Sequence, residues 1–178
     1  MKYKNELIKS MEWLGKKDDV LFLGQACKVS GHAISGTLTK VPEEKRIELP
    51  VFEELQLGLC TGMALEGFVT VSIFPRFDFF ILACNQLVNH LDNMEEMSKG
   101  DMKPRVIIRV SVGTKTPIDA GPQHTQNHTE AFRKMLTNVN LVELKEPEEI
   151  FNAFKEAYER KDSKPTLIIE HGEYYGTK

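Results

Sequence analysis

Asp18-Asp19-Val20-Leu21-Phe22-Leu23-Gly24 decides the fold of this chain. Four consecutive apolar residues stand between an acidic pair and a glycine. A half-solvated strand alternates apolar and polar side chains, and this run does not. It predicts a strand buried on both faces, most simply a parallel one, that ends at Gly24. Upstream, Leu7, Ile8, Met11 and Leu14 recur at helical spacing and predict an amphipathic helix over residues 3–16. Downstream, residues 28–46 hold Gly31, Gly36, Pro42 and many polar side chains, and predict a long loop. Loops of that length are uncommon and tend to be functional or mobile.

Outward from there the chain keeps alternating. Pro50 precedes a helix expected over 52–65, with Gly67 as its stop. A second buried strand is expected over 68–74. An apolar-rich helix should follow over 79–94, with Leu82, Leu87, Val88 and Leu91 as its stripe. Residues 105–112 are rich in β-branched side chains and predict a strand. A turn-rich loop over 113–126 comes next, then a helix over 129–136 and a strand over 139–144. Pro147 opens a helix over 148–160 with acidic residues in its first turn, and a strand over 165–170 follows. The alternation predicts an α/β fold, a doubly wound, mostly parallel sheet flanked by helices. Sites in such sheets gather at the carboxyl ends of the strands.

The 178 residues suit one domain over 1–178, large enough to bury a core without disulfide or metal staples. With 41% hydrophobic and 28% charged residues, global disorder is excluded. The formal net charge of −3 offers no basic excess for nucleic acid or an anionic membrane. Cys27, Cys60 and Cys84 are too few and too apolar in context for a disulfide framework, which suits a cytoplasmic setting. The first residues lack the apolar run of a signal peptide. No apolar stretch approaches the ~20 residues needed to span a bilayer.

Nucleotide-binding glycine loops, Cys-x-x-Cys and His-Glu-x-x-His patterns are absent from the sequence. His124 and His128 stand four residues apart, but Gly121-Pro122 just before them favours a loop, and no third ligand is evident. Three segments carry more. In the first, Pro50-Val-Phe-Glu53-Glu54 opens a helix that then turns apolar and small at Gly58, Gly62 and Ala64. The two glutamates read either as dipole complementation on a solvated face or as functional carboxylates. Two glycines inside a helix, each costing ~1 kcal/mol against alanine, read as a smooth face for close packing within the domain or across a subunit interface. In the second, Phe74-Pro-Arg-Phe77-Asp-Phe79-Phe80 offers either core aromatics or a stacking wall for a flat ring. In the third, Gly121-Pro-Gln-His124-Thr-Gln126 holds a histidine that is either a cap or core residue or an acid–base group.

In this order and spacing the three segments resemble the pyrimidine-binding domain of thiamine-diphosphate enzymes of the transketolase and 2-oxoacid dehydrogenase type, most of all the dehydrogenase beta subunit. The family's Pro, two residues and catalytic Glu, followed by a small-residue helix ending in Gly, are matched by Pro50, Glu53, Gly58, Gly62, Ala64 and Gly67. Its Phe-x-Phe segment and Gln…Asn helix are matched by Phe77-Asp-Phe79 and by Gln86 and Asn89. Its Gly-Pro-x-His-Ser-Gln loop is matched by residues 121–126.

The resemblance implies roles. Glu53 falls on the glutamate that hydrogen-bonds the aminopyrimidine and so promotes formation of the thiazolium ylide. Phe79 falls on the ring that packs against the aminopyrimidine. Phe77 and Gln25 are further expected cofactor contacts. His124 falls on the active-site histidine, which transfers protons or binds the substrate-derived oxygen. The diphosphate and Mg²⁺ belong to a separate diphosphate-binding, alpha-type subunit, since Gly100-Asp101-Met102 departs from the family's Gly-Asp-Gly motif. The expected assembly is a homodimer of this chain within a heterotetramer. The expected substrate is a 2-oxoacid or a ketose, undergoing decarboxylation or ketol transfer. Two departures stand out. Gly24-Gln25-Ala26-Cys27 replaces an acidic pair, and the family's C-terminal domain is not represented. The alternative is a non-catalytic scaffolding or regulatory subunit with the same fold.

Overall fold

The computed structural model describes residues 2–116 and 118–178. Pro117, inside the loop expected over 113–126, lies outside the described residues. The elements run α1 (Lys2–Gly15), β1 (Val20–Gly24), β2 (Arg46–Glu48), α2 (Glu53–Leu65), β3 (Val69–Phe74), α3 (Phe77–Phe80), α4 (Met94–Met97) and β4 (Val106–Val112). Then come α5 (Thr129–Met135), β5 (Asn140–Glu143), α6 (Pro147–Glu159), β6 (Thr166–His171) and α7 (Tyr174–Thr177). The strands form one sheet in the order β2-β1-β3-β4-β6-β5, and every neighbouring pair is parallel. This is the expected doubly wound α/β architecture.

Helices cover both faces because the central strands present apolar side chains on both. Phe22 and Val71 face a layer that includes α1 and α6, with Leu7, Met11 and Phe154. Leu23, Ile108 and Val110 face α2, α3 and α5, with Leu57, Phe80 and Phe132. The amphipathic spacing read in α1 is thus spent on burial, since Leu7, Met11 and Leu14 are all fully enclosed. A capping box between Glu146 and Glu149 starts α6, with Pro147 in its first turn.

Two segments differ from expectation. The helix expected over 79–94 is broken: α3 passes through a 3₁₀ turn at Ile81–Ala83 into a π-helix at Asn85–Leu91. Leu87 and Leu91 are buried as expected, but Leu82 is exposed, because the change of winding rotates it off the stripe. The loop over 28–46 is better packed than its polar composition predicts. Ile34, Leu38 and Val41 enter the core, and the chain leaves it through β2, which pairs with β1.

Among the described residues, no helix is long and apolar enough to cross a membrane. The sheet centre also holds a fully buried ion pair that the sequence did not announce. Arg109 on β4 donates from Nε and Nη2 to Glu170 on β6, at 2.9 and 3.0 Å, and Tyr175 donates its hydroxyl to the same carboxylate.

Candidate functional site

The winding of the sheet creates the site. From β1 the chain turns to β2 on one side, whereas β3 lies on the other side and leads on to β4. Connections leaving β1 and β3 therefore diverge and open a crevice at their carboxyl ends, the usual ligand position in such sheets. A cleft of about 320 Å³ lies there, lined by residues that follow β1 and β3, by the start of α2 and by His124.

The end of β1 is held by several local devices. Gly24 has φ +141°, and a Cβ there would stand 2.3 Å from the Ile73 carbonyl oxygen and 2.6 Å from Gln56 Nε2. Only glycine fits that approach. Ala26 is in the left-handed region at φ 60°. The Glu48 carboxylate, just across from it, accepts from the backbone N–H groups of Ala26, Lys28 and Val29 at 2.8, 2.6 and 3.2 Å. One anion thus satisfies three loop donors and fixes the turn that carries Gln25.

Glu53 is the first residue of α2 and is 3% exposed. Gln25 Nε2 donates to its Oε1 at 3.3 Å. No described residue donates to its Oε2, and that atom is not sealed from the cleft. One turn on, Gln56 Nε2 donates to Ser72 Oγ and to the Ile73 carbonyl, mooring the helix start to the end of β3. Glu54 points elsewhere, about 100° around the helix, and accepts from Asn85 Nδ2 at 2.7 Å. The two adjacent carboxylates therefore separate into one cleft residue and one surface partner of the π-helix.

Beyond β3, the aromatic cluster divides. Phe79 keeps its ring in the cleft, in edge contact with His124 at 5.2 Å and 84°. Phe77, expected as a cofactor contact, is fully buried instead. It stacks on Phe132 at 5.3 Å and does not line the cleft. The reason is the short helix α3, on which residues two apart point to different sides.

His124 is delivered by its loop. Gly121 has φ +86°, and its carbonyl accepts from His124 N–H and Thr125 Oγ1. Gln126 donates twice to Asp78 Oδ1. The loop closes against Gly113, where a Cβ would lie 1.7 Å from the His124 carbonyl oxygen. His128 instead contacts Phe77, on the core side. The pair of histidines does not converge, and among the described residues no group of three metal-ligating side chains is assembled.

Gln25, Glu53, Phe79 and His124 are thus brought together, and Phe77 is left out. Sequence reasoning missed His32 and Arg76, which also line the cleft. His32 comes from the 28–46 loop, and its Nε2 lies 2.6 Å from Arg76 Nη1. Burial, and then the neighbouring cation, push its pKa down to about 4, so it is neutral at physiological pH. The one available signal was position: Arg76 sits inside the aromatic segment, directly after a strand end.

Parallel winding with a crevice between β1 and β3 defines the class, a doubly wound α/β domain whose cleft lies at the switch point of its sheet. The family is more specific. The family model for the transketolase pyrimidine binding domain matches residues 7–177, and the chain belongs to that family. It is 26% identical over 172 residues to the mitochondrial pyruvate dehydrogenase E1 component subunit beta of Saccharomyces cerevisiae, covering 93% of this chain and 44% of the relative. The corresponding beta subunit of Caenorhabditis elegans is 26% identical over 180 residues, covering 99% and 50%. The chain spans about half the length of the curated relatives it matches. Among solved structures, a protein described as "Split gene transketolase, inactive beta4 tetramer" shares the fold with a TM-score of 0.70. That match covers 95% of this chain and 51% of the other, at 17% identity.

Proposed function

We propose that this chain is the pyrimidine-binding half of a split thiamine-diphosphate enzyme and has no activity by itself. The observation that carries the proposal is the free Oε2 of buried Glu53, facing a cleft that also holds Phe79 and His124. These residues fit the cofactor's aminopyrimidine. An unpartnered carboxyl oxygen fits a ring nitrogen with which it can share a proton, and an exposed aromatic face beside it fits a flat ring. When bound, the cofactor supplies a nucleophilic carbon for attack on a substrate carbonyl.

This chain's residues have separate tasks in that reading. Glu53 holds a proton at Oε2, shared with the ring nitrogen, while Gln25 fixes the other carboxylate oxygen. Phe79 covers the ring and limits water. The His124 imidazole, steadied against Phe79, gives or takes a proton at the substrate oxygen. In this reading an alpha-type subunit supplies the diphosphate and Mg²⁺ site. The description of the relatives as beta subunits supports such a partner. The substrate class is a 2-oxoacid or a ketose.

A scaffolding or regulatory subunit with the same fold has support of its own, from the likeness to a tetramer described as inactive. The two readings separate in one experiment. The chain is combined with its diphosphate-binding partner, and Glu53→Gln is compared with the parent for turnover and melting temperature. Loss of turnover by about 10²-fold or more, at unchanged melting temperature, is the catalytic outcome. Turnover indifferent to Glu53 is the scaffolding outcome and removes the proposal.

A further inference from the structure

The cleft holds one cation, Arg76, and its hydrogen bonding is incomplete. Its Nη1 donates to the Pro75 carbonyl oxygen at 3.0 Å and faces His32 Nε2 at 2.6 Å. No described residue accepts from Nε or Nη2, and neither atom is sealed from solvent. Those two N–H groups form the side of the guanidinium that takes a carboxylate or phosphate in a two-point grip. Among the described residues, Arg105, Arg109, Arg133 and Arg160 have carboxylate partners within 4.0 Å. Arg46, which donates to the Cys27 carbonyl, and Arg76 have none, and of these two only Arg76 lines the cleft. Asp78 is near enough to favour the Arg76 charge; its Oδ1 is engaged by Gln126, and its buried Oδ2 makes no hydrogen bond to Arg76 or to any other described residue.

His32 does not make up the deficit. A neutral imidazole has one acceptor nitrogen. Two donors face its two nitrogens, Arg76 Nη1 at Nε2 and the Ile34 N–H at Nδ1, the latter at 3.2 Å. One donor is surplus. The half-buried guanidinium has given up part of its hydration, so a cation with no carboxylate in hydrogen-bond contact and a surplus donor share one wall of the cleft.

We propose that Arg76 is the specificity-determining residue of this cleft, gripping an anionic group, a carboxylate or a phosphate, on the substrate. The inference rests on the reading that the cleft is where substrate meets cofactor. The cleft residues next after β1, Gln25 and Ala26, carry no charge that could neutralise Arg76.

The test uses the isolated full chain, without cofactor or partner. The arginine Nε–H and histidine ring resonances are followed by NMR while the chain is titrated with oxamate and, separately, with inorganic phosphate. Expected is a saturable shift of the Arg76 Nε–H resonance, identified by its loss in Arg76→Lys. Arg76→Met should abolish the His32 response. Arg76→Lys, which keeps charge but not the fork, should weaken binding about tenfold and serves if the methionine variant does not fold. Tighter oxamate binding assigns a carboxylate substrate and tighter phosphate binding a phosphorylated one, and either supports the proposal. No saturable shift with either anion, or an unchanged dissociation constant in the Arg76 variants, overturns it. Because thiamine diphosphate is not needed, a failed Glu53 experiment leaves this result standing, and the converse also holds.

Discussion

Gly113→Ala tests how the sheet positions the histidine loop. The added Cβ would lie 1.7 Å from the His124 carbonyl oxygen and 2.9 Å from its carbonyl carbon. Ordinary contact needs about 3.2 Å or more, and both atoms are backbone, so no side chain can rotate away. Gly113 directly follows β4, which is paired on both edges, whereas the loop over 118–126 is largely solvent-facing. The loop therefore yields. It stands to lose two hydrogen bonds from Gln126 to Asp78 and the edge contact of His124 with Phe79. At ~0.5–1.5 kcal/mol for each, the loss is about 2–4 kcal/mol. For a domain of this size that corresponds to a fall in Tm of roughly 4–16 °C. A displacement near 1 Å at His124 should lower turnover of the reconstituted enzyme about 10²-fold. Scanning calorimetry and steady-state assay of the complex read the two effects. Parental Tm and turnover in Gly113→Ala would refute the account of the loop.

Gly62 makes the opposite case. A Cβ there meets nothing within 4 Å, so Gly62→Ala should stabilise the isolated chain by ~0.5–1 kcal/mol in urea unfolding. If the Gly58–Gly62 face packs against another subunit, sedimentation should show weaker assembly in the same variant, and unaltered assembly would leave that face outside the interface. Removing one member of the buried pair, as in Glu170→Ala, should cost about 3–5 kcal/mol by denaturant unfolding. A loss below ~1 kcal/mol would contradict the burial of Arg109 as a cation. For His32 the folded pKa, about 4, lies below the unfolded value near 6.5, so the unfolded state binds the proton first. Its contribution is complete above pH ~6.5 and is lost as pH falls toward 4. The decline of Tm across that window should be shallower in His32→Gln, and parallel curves would sink the assignment.

The site was legible in part for a simple reason. Glu53, Phe79 and His124 sit on short motifs whose residue types and order carry their meaning locally. Phe77 lies in the core and not in the expected cleft: two phenylalanines spaced by one residue look equivalent in sequence, and only the winding of α3 separates a core ring from a cleft ring. His32 is separated from Arg76 by 44 positions and from Glu53 by the whole of β2, and no local pattern links them.

By itself, the sequence determined the α/β alternation, the doubly wound class and the identity of the buried strands. Each rests on periodicity or on a continuous apolar run, which is a property of neighbouring residues. Tertiary structure alone decided the strand order β2-β1-β3-β4-β6-β5, the crevice it opens and which side chains meet there. It also decided that Arg109 is tolerated in the centre of the sheet, because Glu170 arrives beside it on β6. Strand pairing and charge compensation join residues far apart along the chain, and their energies exist only once folding has brought the partners within a few ångströms.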